Sequence, residues 1–363
     1  MIIAIDAHML GDHSGGNESY YTNILKCMTV RDEDTVYLFV KPGIDVSEFE
    51  DRFKIVRFKE ENSFKRNFIE LDKLCREYKV DVLHTQYFIP FIRSCKIVVT
   101  IHDICFEHYS NIFTKKEYIT QKLLIPYAAK HSEYVFTVSE HARADIIEHY
   151  HLKPEKVIVT YNAVNSGFRR LSEDELKEEE LRKKFEIGNF DYILSVGNLQ
   201  PRKNLVRLIE AFNKWKSKTK ADSSLVIVGK KAWMFDGILK AAIEGSKDII
   251  FTDYVSNEDL VRLYNAAKCF VYPSFFEGFG IPPLEAMACG TPVAVANTTS
   301  LPEVVGDAGM YFDPFNVDEI EMAIEKMMSD EGLNNKYAEL GMKQSRKFSW
   351  KDSADIIMET YHR

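Results

Sequence analysis

Short apolar runs rich in Ile and Val alternate along the chain with segments whose apolar residues recur at helical spacing. In the first half the runs are IIAID (2–6), TVYLFV (35–40), KIVRF (54–58), VDVLHT (80–85), KIVVTI (96–101), YVFTVS (134–139) and KVIVTY (156–161). The second half has DYILSVG (191–197), SSLVIVG (223–229), DIIFTDY (248–254), KCFVYP (268–273), TPVAVA (291–296) and GMYF (309–312). Near-continuous apolar runs predict strands covered on both faces, as in parallel sheets. Between them, Leu205, Leu208, Ile209 and Phe212 mark one apolar helix face, and Leu260, Leu263 and Tyr264 mark another. Strand–helix alternation of this kind predicts an α/β fold with doubly wound parallel sheets.

The alternation restarts. The stretch LSEDELKEEELRKKFEIG (171–188) is charged and strand-free, and a new strand begins at Asp191. The pattern predicts two Rossmann-like domains, 1–165 and 189–349, with 166–188 as a linker or surface helix between them. Ligands in open α/β sheets bind beyond the carboxyl ends of the strands. Two such sheets facing each other would enclose a cleft, so the strand-end residues are where chemistry is expected.

Composition agrees with this picture and removes some alternatives. At 363 residues the chain suits two cores, and 45% hydrophobic with 28% charged residues is ordinary for a soluble globular protein. A net charge of -8 argues against broad nucleic-acid binding, which needs a basic surface. The six cysteines (Cys27, Cys75, Cys95, Cys105, Cys269, Cys289) form no C-x-x-C pair and read as buried thiols of a reducing compartment. MIIAIDAHML has no basic n-region and carries Asp6, so no signal peptide is expected, and no apolar run approaches the roughly 20 residues of a membrane-spanning helix. A cytoplasmic protein is expected. The segment FTKKEYITQKLLIPYAAKH (113–131) mixes Lys115, Lys116, Lys122 and Lys130 with aromatic residues. It reads as an amphipathic helix with a solvated lysine face or as a contact with an anionic membrane surface.

At the strand ends, FFEGFGIPPLEA (275–286) places Glu277 and Glu285 eight positions apart around Gly278, Gly280 and two prolines. Prolines suit a first helical turn, and Gly290 suits its end. Backbone donors at Gly278, Phe279, Gly280 and Ile281, with the positive end of the helix, suit a phosphate or a polar sugar. Glu285, expected in the first helical turn, can accept both hydroxyls of a ribose diol, and Glu277 can face a second polyol; each glutamate alone could equally be a cap or a dipole partner. In SVGNLQPRKN (195–204), Arg202 and Lys203 precede a helix, and two cations there suit a diphosphate, although a lone Arg-Lys dipeptide is usually solvated. Ser14, Gly15 and Gly16 form a glycine turn before a helix starting near Asn17, a weak signal. His102 and Asp103 end one strand, Ser139 another as a helix cap, and YNAV (161–164) a third. There is no G-x-x-x-x-G-K-[ST], no H-E-x-x-H, no G-x-G-x-x-G after the first strand and no D-x-D at a strand end. Countercharge for a leaving phosphate is therefore expected from side chains, with no metal and no cofactor.

These motifs together resemble those of the GT-B retaining glycosyltransferases of family 4 (group 1), and are most like bacterial surface-polysaccharide mannosyltransferases. E277-GFGIPPL-E285 looks like the family's E-x7-E motif, within YPSFFEGFGIPPLEAMACGTPV. VGNLQPRKN matches its phosphate-binding segment, with Lys203 at the lysine position, Gly15-Gly16 its N-terminal glycine loop, and His102 of TIHD its histidine. FSWKDSADIIMETY (348–361) resembles the C-terminal helix that crosses back onto the N-terminal domain, so 350–363 is expected with 1–165. The resemblance implies that Glu277 and His102 contact the donor sugar, Glu285 the ribose, and Arg202, Lys203 and Gly16 the phosphates. Many members carry Arg where this chain has Asn198, a role that Arg202 would take over; Asn204 also replaces a frequent Gly. It further implies a metal-independent transfer of a hexose from a nucleotide-diphosphate sugar, GDP-mannose first, to a hydroxyl of a glycan or lipid-linked acceptor. Peripheral contact with the inner membrane face would suit such an acceptor. A nucleotide-sugar epimerase and a non-catalytic sugar-nucleotide-binding subunit are the alternatives.

Overall fold

The computed structural model describes residues 1–11, 15–230 and 248–363. It divides into two compact units, Met1–Asn162 with Ser349–Arg363, and Ala163–Phe348.

The first unit is built on seven parallel strands: β1 (Ile2–Asp6), β2 (Thr35–Val40), β3 (Lys54–Arg57), β4 (Val82–Gln86), β5 (Lys96–Thr100), β6 (Tyr134–Thr137) and β7 (Val157–Val159). They lie in the order β3-β2-β1-β4-β5-β6-β7. Every pair is parallel, with Ile3 opposite Val82 and Val36, and Val98 opposite His84 and Tyr134. The β4 residues are all buried, because helices cover both faces of a parallel sheet. Helix Trp350–Tyr361 belongs to this unit. It packs on helix Gly16–Cys27, with Trp350 edge-on to Tyr20 and the Tyr361 hydroxyl 2.6 Å from Nδ1 of buried His84.

The second unit repeats the plan with β8 (Tyr192–Val196), β9 (Ser224–Val228), β10 (Ile249–Phe251), β11 (Cys269–Tyr272), β12 (Val293–Ala296) and β13 (Gly309–Phe312). Their order is β10-β9-β8-β11-β12-β13, again all parallel. Helix Leu205–Thr219 buries Leu205, Leu208, Ile209 and Phe212, the face read from the sequence. Segment 166–188 groups with this unit. Its short helix Glu178–Lys184 buries Leu181, places Arg182 over the Tyr192 ring and pairs Lys184 with Asp259 at 2.7 Å.

In each sheet the strand order reverses between the first and fourth strands of the unit, β1 and β4 or β8 and β11. That switch point opens a crevice at the carboxyl ends, since the flanking connections leave to opposite sides.

Candidate active site

At the second unit's switch point, the loops after β8 and β11 leave side by side. The loop after β8 turns through a 3-10 turn, Pro201–Lys203, and then Asn204 takes a left-handed conformation with φ 58°. Asn tolerates that region better than most residues. Its buried amide donates to the carbonyls of Pro273 at 3.1 Å and Pro314 at 2.6 Å. The N–H of Phe275 and the hydroxyl of Ser274 both donate to the Arg202 carbonyl at 3.1 Å. The two loops are thus stitched through their backbones, and their side chains meet in a fixed place.

What meets there is a charged cluster. Lys203 Nζ donates to Glu277 Oε1 and to the Tyr272 hydroxyl, both at 2.5 Å, and lies 4.9 Å from the centre of the Tyr272 ring. Tyr272 also donates to Glu277 Oε1 at 2.9 Å. Arg202 donates through one guanidinium nitrogen to Glu277 Oε2 at 2.7 Å and to the Phe276 carbonyl at 3.0 Å. Burial alone would push the Glu277 carboxyl up. The charges of Arg202 and Lys203, with hydrogen bonds from Lys203 and Ser274, outweigh it and hold the carboxyl down at about 2. Two cations against one carboxylate leave a net positive charge in a partly dehydrated place, which favours an anion.

Glu277 is held from its backbone as well. Its N–H donates to Thr299 Oγ1 at 3.1 Å, and the Ser300 hydroxyl donates to the carbonyls of Glu277 at 3.0 Å and Phe279 at 2.7 Å. Thr299 sits at φ 51°. A β-branched residue in the left-handed region is strained, and such outliers cluster at functional sites.

Gly278, Phe279 and Gly280 are buried in this loop, and Ile281 opens helix Ile281–Ala288. Gly280 caps that helix at φ 103°, and a side chain on it would come within 2.7 Å of Leu301. Because the helix begins only after Gly280, Glu285 is its fifth residue and lies one turn in, which corrects the first-turn position expected for it. Glu285 accepts from the Tyr264 hydroxyl at 3.0 Å and does not join the Lys203 cluster. Burial raises its carboxyl to about 7 against the lowering effect of that hydrogen bond. The two glutamates therefore have opposite electrostatic characters.

Asn198 is exposed, with no side-chain hydrogen bond among the described residues. In the first unit, His102 lies just beyond β5, buried, with its Nε2 2.5 Å from the side-chain nitrogen of Gln86 and Tyr20 edge-on at 4.9 Å. Burial depresses its pKa to about 3, so the imidazole is neutral at physiological pH. Gly15 caps helix Gly16–Cys27 at φ 79°, and a side chain on Gly16 would meet only open space. Ser14 falls outside the described residues. Ser139 caps helix Glu140–Tyr150 through its hydroxyl at 3.0 Å from the Ala142 nitrogen. Tyr272, Thr299, Ser300 and Gln86 were not singled out from sequence, and Tyr264 was named there only as part of an apolar helix face. Only Tyr272 had a usable signal there, as a hydroxyl at the end of an apolar run.

Among the described residues no group of His, Cys, Asp and Glu side chains is arranged to hold a metal ion, and no helix is long and apolar enough to cross a membrane.

Comparison with known proteins supplies a context for this geometry. Residues 14–168 match the family described as Glycosyltransferase Family 4, and residues 177–344 match Glycosyl transferases group 1. The chain is 34% identical over 295 residues to the O-antigen chain mannosyltransferase B of Escherichia coli, covering 79% of this chain and 75% of that protein. It is 31% identical over 276 residues to the serotype-specific mannosyltransferase WbdA of E. coli, covering 74% of this chain and 33% of that longer protein. In fold it is similar to a sucrose-phosphate synthase from Thermosynechococcus elongatus, with a TM-score of 0.78 at 18% identity over 100% of this chain and 98% of the other.

Proposed function

The chain belongs to the family 4, group 1 glycosyltransferases, and from that premise we propose that it is a retaining mannosyltransferase of surface-polysaccharide synthesis. It would use GDP-mannose and a glycan or lipid-linked acceptor, with no metal and no cofactor. The observation that carries the reading is the cluster of buried Lys203, Glu277 and Tyr272 with half-buried Arg202 at the switch point, a place built to receive an anion beside a carboxylate. The mannosyltransferase names of the two E. coli relatives support the choice of sugar.

In this reading the sugar C1–O bond to the β-phosphate breaks while the acceptor oxygen bonds to C1 on the same face. The acceptor proton passes to the departing phosphate oxygen. Arg202 and Lys203 would stabilise the charge that grows on that phosphate, and preorganised donors of this kind contribute about 2.7–4 kcal/mol each. Glu277, kept ionised by the two cations, would accept hydrogen bonds from the sugar hydroxyls. Glu285 would accept from the ribose diol. His102, held neutral by burial, would offer a hydrogen bond without charge, and Gly16 leaves room for a phosphate. Peripheral contact with the inner membrane face belongs to the same reading.

The test is a transfer reaction with GDP-mannose followed by proton NMR of the product's anomeric centre, beside thermal shifts with GDP-mannose and UDP-glucose. An α-linked mannoside is expected, with stabilisation by GDP-mannose of about 2.7 kcal/mol at a hundredfold excess over Kd. A β-linkage would end the retaining assignment. Stabilisation by UDP-glucose alone would end the choice of donor.

A further inference from the structure

Among the described residues of the first unit, Arg66 is a buried cation without an acid. It is 5% exposed, yet it forms no ion pair there. Its Nε donates to Oδ1 of Asn67 at 3.2 Å, and its guanidinium carbon lies 5.7 Å from the centre of the Phe58 ring. A ring face attracts the cation but gives its N–H groups no oxygen to bind. The terminal guanidinium nitrogens therefore have no hydrogen bond among the described residues, and neither has the amide nitrogen of buried Asn67. Donors shut away from water are ordinarily satisfied, and a buried charge without a counterion is costly. The acid closest in sequence, Glu70, is spent elsewhere. Its two carboxylate oxygens accept from the backbone N–H of Lys59 at 2.7 Å and of Glu60 at 3.0 Å.

The backbone that carries Arg66 is also unusual. Arg66–Glu70 is a π-helical turn, closed by the Leu71 N–H donating to the Arg66 carbonyl. Such turns are rare within α-helical stretches and recur at functional sites. Residues 58–66 follow β3, so they lie at the carboxyl edge of the parallel sheet, the edge that carries His102 beyond β5. Phe68, two residues on, stacks on Phe91 at 4.7 Å and so brings the loop after β4 alongside. Ligands of open α/β sheets bind at this edge. The donors without partners are thus on the side of the unit where a ligand is expected.

We infer that Arg66, steadied by Asn67, is an oxyanion subsite of the first unit, which takes a carboxylate or phosphate group of a ligand seated on the carboxyl edge of the sheet. A guanidinium fork binds two oxygens of such a group at once, and partial dehydration strengthens the pair. The anion supplies the counterion and the acceptors that the chain itself does not. The inference goes beyond the proposed function and stands whichever nucleotide sugar is the donor.

The experiment is calorimetric titration of the full chain with methyl phosphate and, separately, with acetate, in chloride of matched ionic strength. It is done in a Lys203→Ala background, where Arg202 and Glu277 balance each other and the second unit's cluster no longer favours an anion. Saturable binding of at least one anion is expected, and tighter binding of methyl phosphate than of acetate identifies the group as a phosphate, the reverse as a carboxylate. Adding Arg66→Met should weaken that binding at least about tenfold, as expected for lost hydrogen bonds between charged groups. Arg66→Lys keeps the charge without the fork and should fall between the two. In chloride alone, Arg66→Met by itself should hold or raise the melting midpoint, because it removes a buried charge that has no partner. Three results would each overturn the inference. They are no saturable binding of either anion, unchanged binding after Arg66→Met, and a midpoint lowered by more than about 5 °C in Arg66→Met, the mark of a purely structural arginine.

Discussion

The two sheets share a strand order and a switch point, yet the candidate residues after their strands differ in character, although β1 also ends in a buried carboxylate, Asp6, 2.8 Å from His8 Nδ1. In the second unit the crevice holds two cations and a carboxylate, each partnered and the carboxylate kept ionised. In the first, the strand-end His102 is kept neutral by burial and touches an amide, Gln86. The same topology thus serves charge in one place and uncharged hydrogen bonding in another. Fold supplies the position; the residues after each strand decide what is bound there.

The strongest way to break this comparison is to remove the charge. Lys203→Ala should lower kcat by roughly 10²–10³ with retained secondary structure, as for other preorganised donors, and wild-type turnover would remove Lys203 from the chemistry. Next, Glu285→Ala should weaken binding of GDP by about tenfold in calorimetry, the effect of about 1.4 kcal/mol from lost hydrogen bonds to a charged acceptor. Wild-type binding of that nucleotide should itself strengthen as pH rises through about 7, where Glu285 ionises and becomes a better acceptor. A flat profile between pH 6 and 8 would detach Glu285 from the ribose. On the neutral side, His102 has its pKa near 3, so no histidine limb from it should appear in kcat between pH 5 and 8.

Much of this was readable before any coordinates. All the apolar runs became strands, because a strand buried on both faces must be apolar at nearly every position, and that pattern survives in sequence. Arg202, Lys203 and Glu277 were each readable as strand-end residues. Their direct pairing was not, since it depends on which strands are neighbours and on Asn204 and Ser274 stitching the loops. Tyr272 ends a run read as a strand, and its hydroxyl at that strand end is the one sign in sequence that it faces the site. The hold of Thr299 on Glu277 had no sequence signal, because a threonine at positive φ runs against local preference.

The finest contrast within the site is between the two glutamates, and stability against pH separates them. For Glu277 the folded-state pKa is about 2 against an ordinary 4.5. Its ionised form is favoured by folding, so its contribution is present above about pH 4.5 and is lost as pH falls toward 2. For Glu285 the folded value is about 7, so folding favours the protonated form. Its contribution is full below about pH 4.5 and is lost as pH rises toward 7, after which the curve is flat. Thermal midpoints of Glu277→Gln and Glu285→Gln, measured from pH 3 to 8 against wild type, should therefore diverge in different windows. Glu285→Gln gains on wild type between about pH 4.5 and 7, and Glu277→Gln loses its deficit only at the acid end. Thr299→Gly adds a smaller test of the same loop. Glycine accepts φ 51° without strain, so the midpoint should hold or rise by about 2–4 °C per kcal/mol relieved, while turnover falls because nothing then receives the Glu277 N–H. If turnover instead stays at the wild-type level, the strained threonine has no part in aiming Glu277, which the cations, Tyr272 and Ser300 then hold without it.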